Sequence, residues 1–257
     1  MTVLRLLYRF PCLIVYIVLA LPPTIIAQTA PFRSLILGGK RLGDRFLHRW
    51  SATICSLFGL RRRIHGTFPP GAQLVVANHI SWLDIQLLHS VAPMGFVAKA
   101  EIEKWPLAGW VAKFGDTVFH HRGSHHSATG VATVMADRLR EGSKIAIFPE
   151  GGILPGEGIK RFHARMFAAA ADTGTPVQPV MIRYLRDGNH HLAMTFLPGE
   201  NFMANFFRLL GQRSCIAELH ILPPIDPAGL QRKELASTSE AAIRAAYLLD
   251  GDGRFGD

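Results

Sequence analysis

The stretch "LVVANHISWLDIQLL", residues 74–88, sets His79 and Asp84 five positions apart, at the seam between an apolar, β-branched run and an amphipathic one. On one continuous helix, side chains five residues apart point about 140° away from each other. With His79 at a strand end and Asp84 in the first turn of the next helix, the chain doubles back at Ser81 and the carboxylate can approach the imidazole. A carboxylate on one ring nitrogen fixes the tautomer and leaves the other nitrogen free to take a proton. Ser81-Trp82-Leu83-Asp84 also fits a capping box, and on that reading Asp84 does no more than start a helix.

A His–Asp pair is two thirds of a hydrolase triad, but no G-x-S-x-G occurs in the chain. Without a nucleophile of its own to activate, such a pair can act as general base on a hydroxyl belonging to the substrate. A second apolar run, "KIAIFPEGG", ends in Phe148-Pro149-Glu150-Gly151-Gly152. If both strands are parallel, Glu150 stands at the same sheet edge as His79, where sites form in α/β folds. The plain alternative is a turn with a solvated glutamate. "HHRGSHH" gathers His120, His121, His125 and His126 without a helix motif of the H-E-x-x-H kind, so no metal site is expected. "GDGRFG" matches a dinucleotide fingerprint, yet no helix can follow it before the sequence stops.

The elements that must hold these residues alternate. "AQLVVAN", "KIAIFPE", "PVQPVMIRY", "HLAMTFL" and "AELHILPPI" read as strands; "SWLDIQLLHSV", "FHARMFAAAADTG" and the terminal "RKELASTSEAAIRAAYLL" read as helices. The expected fold is α/β, a mixed and largely parallel sheet flanked by helices. Residues 1–64 are expected to form an N-terminal membrane-associated helical segment, 65–225 the catalytic domain, and 226–257 a C-terminal helix and tail. "ENFMANFFRLLG" is read as a core-packing element in preference to a lipid-contacting one.

The 257-residue chain carries 28 Lys and Arg against 19 Asp and Glu, a net charge of +9, with a positive mean hydropathy. Basic and apolar together, with no nucleic-acid-binding motif, point to an anionic membrane surface and away from nucleic acid. Three widely spaced cysteines give neither a disulfide framework nor a zinc site. Residues 10–32 hold no charged residue, and as a helix would extend about 35 Å against about 30 Å of hydrocarbon. Pro22 and Pro23 are expected to interrupt it, leaving a kinked span, a re-entrant hairpin or a cleaved leader as readings. Arg33, Lys40, Arg41, Arg45 and Arg49 follow and favour the cytoplasmic side of the inner membrane. Phe46, Leu47, Trp50, Ile54 and Leu57 recur at helical spacing, in an interfacial or a core helix that Arg61, Arg62 and Arg63 would end.

"NHISWLD", "DTVFHHR", "FPEGG" and "GTPVQPVMI", in that order, resemble the four blocks of the glycerolipid (lysophospholipid) acyltransferase family, bacterial 1-acylglycerol-3-phosphate acyltransferases in particular. The resemblance implies an acyl thioester donor, acyl-CoA or acyl carrier protein, a lysolipid acceptor, and neither cofactor nor metal. It implies His79 as general base and Asp84 as its orienting partner. It further implies Arg122 on acceptor phosphate, and Phe148, Pro149, Glu150 and Gly151 as the acceptor-binding turn. The expected acceptor is 1-acylglycerol 3-phosphate; because the family more often has threonine at Gly152 and lysine at His163, another lysolipid, such as a lyso-ornithine lipid, is the alternative. From a different class, a non-catalytic lipid-binding protein would use the same residues only as a strand end and a cap.

Overall fold

The computed structural model describes residues 2–99, 117–120, 125–153 and 158–248. Helix α1 (Thr2–Gln28) leads to a short hairpin, β1 (Ile36–Leu37) with β2 (Lys40–Arg41), and to α2 (Leu42–Leu57). Then follow β3 (Leu60–His65), β4 (Gln73–Ala77), α3 (Leu83–His89), β5 (Gly95–Lys99), β6 (Val118–His120), α4 (His125–Arg140) and β7 (Lys144–Ile147). The chain continues through α5 (Ala168–Thr173), β8 (Val177–Arg186), β9 (Asn189–His190), α6 (Phe202–Leu210), β10 (Cys215–Ile221) and α7 (Arg232–Leu248).

The main sheet runs β3-β10-β8-β4-β7-β5-β6, with β9 added to β8. From β8 to β6 every neighbouring pair is parallel; β10 is antiparallel to β8 and parallel to β3. This is the mixed, mostly parallel sheet expected. All five residues of β4 are buried, as a strand covered on both faces requires. Alternation sends Val75 and Ala77 into a core with Leu83, Leu87, Ile182 and helices α1–α3, and Leu74 and Val76 into a second core with Ile145, Ile147 and Met181 on the opposite face. Since Val76 pairs with Ile147 in parallel register, β4 and β7 release their chains at one edge.

Three expectations are corrected. Pro11, Pro22 and Pro23 lie inside α1 and do not end it. The carbonyls that Pro22 and Pro23 cannot serve belong to Val18 and Leu19, both on the exposed face, while the Thr24 hydroxyl donates back to the Ala20 carbonyl. Arg61, Arg62 and Arg63 do not cap a helix; they sit in β3, which pairs with β10, so the sheet begins ahead of residue 65. "HLAMTFL" is not a strand. Its carbonyls at Ala193 and Thr195 accept from the Arg208 guanidinium in place of a neighbouring strand, and Met194 turns into the core. The α2 stripe resolves to the core reading at Trp50 and Ile54, which are buried between α1 and α3. In α6, Asn205, Leu209 and Leu210 are likewise buried, with Met203 and Phe207 exposed.

Candidate active site

Asn78 ends β4 by a device of its own. Its side-chain amide donates to the Ile182 carbonyl and accepts from the Ile182 amide, both at 2.8 Å, so a side chain continues the β4–β8 ladder where the backbone departs. The chain is thereby turned out of the sheet one residue before His79. Asp84, in the first turn of α3, is wholly buried, and its Oδ2 accepts from the Ile80 amide (2.7 Å), the Ser81 amide (3.0 Å) and His79 Nδ1 (2.8 Å). The capping role and the imidazole contact therefore coexist on one oxygen. The Ser81 hydroxyl takes the Leu83 amide at 3.4 Å.

With Nδ1–H donated to a carboxylate, Nε2 carries the lone pair. Among the described residues Nε2 has no hydrogen-bond partner, and the His79 side chain keeps 13 % of its exposure. The ring stacks on Phe148, centroids 3.8 Å apart and planes 10° apart, which fixes its tilt and leaves the Nε2 edge clear of the stacking face.

Glu150 arrives from β7 as expected, but its carboxylate is engaged by backbone. Oε1 accepts the His79 amide at 2.8 Å and Oε2 the Lys160 amide at 2.9 Å. Burial raises its carboxyl above the usual range, and the two amide donors work against that rise. Pro149 is buried and its carbonyl accepts the His163 amide at 2.9 Å. Gly151 has φ +81°, a backbone conformation that favours glycine, and a side chain there would come within 3.3 Å of His163 Nε2. His79, Asp84, Phe148, Pro149, Glu150 and Gly151 are thus brought to one sheet edge. Arg122, the side chains of "HHRGSHH" and the "GDGRFG" tail lie outside the described residues.

Two residues escaped the sequence reading. Asn78 follows an apolar run, where asparagine commonly marks a break. Tyr184, in β8, donates its hydroxyl to Asp84 Oδ1 at 2.6 Å and is buried. Its alternation with Ile182 places it on the α3 face, and a buried tyrosine hydroxyl calls for a partner. For metals, His65, Glu218 and His220 bring ligand atoms within 4.8 Å of one another on β3 and β10. Glu218 is there paired with Arg183 at 2.7 Å and Arg63 at 3.5 Å, so this group is a charge-paired cluster on β3, β8 and β10.

Residues 35–183, more than half of the chain, match the Acyltransferase family model. The chain belongs to the acyltransferase family. Lyso-ornithine lipid O-acyltransferase of Pseudomonas aeruginosa is 39 % identical over 206 residues, covering 80 % of this acyltransferase and 79 % of that protein. 1-Acyl-sn-glycerol-3-phosphate acyltransferase of Neisseria gonorrhoeae is 30 % identical over 184 residues, covering 71 % and 72 %. The crystal structure of the 1-acyl-sn-glycerophosphate acyltransferase from Thermotoga maritima superposes with a TM-score of 0.71 over 95 % of this chain and 94 % of that one; at 22 % identity it establishes the shared fold. The acyltransferase accordingly takes an acyl donor and a lysolipid acceptor.

Proposed function

We propose that the acyltransferase uses His79 as general base to move a fatty acyl group from a thioester donor, acyl-CoA or acyl carrier protein, to the free hydroxyl of a lysolipid. The observation that carries this is the 2.8 Å bond from His79 Nδ1 to a fully buried carboxylate, with Nε2 unpartnered among the described residues. Nε2 takes the hydroxyl proton while the alcohol oxygen attacks the thioester carbonyl carbon. The tetrahedral adduct collapses, the C–S bond breaks, and the imidazolium returns its proton to the thiolate. Ester and free thiol result, and His79 ends neutral. Asp84 stabilises the imidazolium between the two transfers. Help of this kind is commonly worth about 10² to 10⁴ in rate.

For the acceptor, a lyso-ornithine lipid is the stronger reading and 1-acylglycerol 3-phosphate the second. The Pseudomonas relative, at higher identity over more of the chain, bears the first name, and the Neisseria relative the second. The departures at Gly152 and His163 fall beside the Glu150 turn, in keeping with an acceptor that differs in its head group. A competition assay with both lysolipids and both donor types tests this. Faster turnover of the lyso-ornithine lipid at equal concentrations supports the first acceptor; a preference for the phosphorylated one replaces it with the second.

Helix α1 is long and apolar enough to cross a membrane. It is nonetheless tied to the domain along its length: Arg9 donates to the Leu210 and Gln212 carbonyls at 2.9 and 2.8 Å, Tyr16 to Arg49, and Gln28 to Gly43. Val3, Leu4, Leu7, Val15, Val18 and Leu19 remain exposed on the other side. This arrangement fits a helix lying in the interface of the inner membrane, apolar face in lipid, with the basic domain on the cytoplasmic side. Depth-dependent quenching of labels at Val3 and Ile26 should report the same leaflet; opposite leaflets would make α1 a span.

A further inference from the structure

We infer that Tyr184 is a positioning residue for the transfer: its hydroxyl holds the Asp84 carboxylate against the His79 imidazole and moderates the negative charge that the ring meets. This rests on the general-base reading of His79. Three donors converge on Asp84 Oδ2, and among the described residues Oδ1 has one, the Tyr184 hydroxyl at 2.6 Å. Asp84 is 0 % and Tyr184 2 % exposed, so bulk water cannot take over a lost bond at Oδ1. With Oδ2 held by the Ile80 and Ser81 amides, loss of the Tyr184 bond leaves Oδ1 buried without its donor and widens the terminal torsion only within what those two bonds allow, which loosens the Nδ1 contact. A carboxylate stripped of a donor also presents more charge to the imidazole, which favours the protonated ring.

Among the described residues, Cys55, Cys215 and Glu150 are the other titratable groups that face this pair. Cys55 on α2 and Cys215 on β10 have thiols pushed up to about 12 and about 11, chiefly by burial, and stay uncharged. Arg62 on β3 faces Cys55. The Tyr184 phenol is itself held well above its ordinary value, first by burial and then by Asp84, so it remains a donor. Glu150, on the far side, meets the His79 amide and makes no bond to Tyr184. Removing the Tyr184 hydroxyl therefore acts on the imidazole through Asp84.

The test is the pH profile of kcat/KM for Tyr184→Phe, read beside wild type, His79→Ala and Ile243→Val, a buried change in the opposite core. Tyr184→Phe is expected to lower plateau kcat about tenfold or more with both KM values held, as loss of a hydrogen bond to a charged group would. Its acid limb should move to higher pH by about half a unit or more. Fluorinated tyrosine at 184, a stronger donor of the same shape, should move the limb the opposite way, and it serves alone if the Phe variant does not fold. Limbs that overlay wild type, or a loss matched by Ile243→Val, overturn the proposal. An active His79→Ala would instead remove the general-base reading beneath it.

Discussion

Replacing Glu150 by Gln separates two roles that its place in the sequence leaves merged. The carboxylate accepts the His79 amide with one oxygen and the Lys160 amide with the other. Glutamine offers one carbonyl oxygen and one NH₂ group, so whichever way it turns, one of those backbone N–H groups faces a donor. The Lys160 side is exposed and open to water, which makes it the bond to give up, at about 1 kcal/mol; giving up the half-buried His79 bond approaches about 3 kcal/mol. Expressed wholly in the transition state, that range corresponds to a fall in kcat of about 5- to 150-fold. Steady-state transfer of labelled acyl groups, varying each substrate in turn, reads it. If Glu150 positions the His79 turn, kcat falls and the acceptor KM stays. A raised acceptor KM with kcat preserved would refute this reasoning and return Glu150 to direct acceptor binding.

Two further outcomes are expected. Arg122→Ala should raise KM for 1-acylglycerol 3-phosphate and leave KM for a lyso-ornithine lipid unchanged, because a guanidinium is suited to phosphate; equal KM values for the phosphorylated acceptor would take Arg122 out of the phosphate site. His89 is buried on Phe96, bonded through Nε2 to the Met94 carbonyl, and burial lowers its pKa to about 4. A depressed imidazole contributes stability that is complete above its unfolded value, about 6.5, and is lost as pH falls toward 4, by about 3 kcal/mol at most. Denaturant unfolding of His89→Gln at pH 7 and pH 4.5 should show a smaller pH dependence than wild type, and an identical dependence would contradict the assignment.

Much of the architecture was legible because parallel strands buried on both faces leave apolar runs of strand length. β4, β7 and β8 are such runs, and the helices after β4 and β7 follow from α/β alternation. The His79–Asp84 contact was legible from spacing, since the turn that brings them together is local. Tyr184 was not: it lies a hundred residues from Asp84, and the pairing depends on β8 being the neighbour of β4, an order that periodicity does not encode. Glu150 was found for its residue type, while its partners, two backbone amides, have no trace in side-chain identity. Pro22 and Pro23 misled because α1 continues through them, with the Thr24 hydroxyl donating back to the Ala20 carbonyl. "HLAMTFL" misled because a guanidinium from α6 supplies the donors that a strand partner would have given.

The central claim is that the open nitrogen of His79 takes the acceptor's proton. Purified His79→Ala, confirmed folded and still bound to anionic vesicles, should transfer labelled acyl groups to a lysolipid about 10² to 10⁴ times more slowly than wild type in kcat. Turnover equal to wild type in that assay would contradict the account.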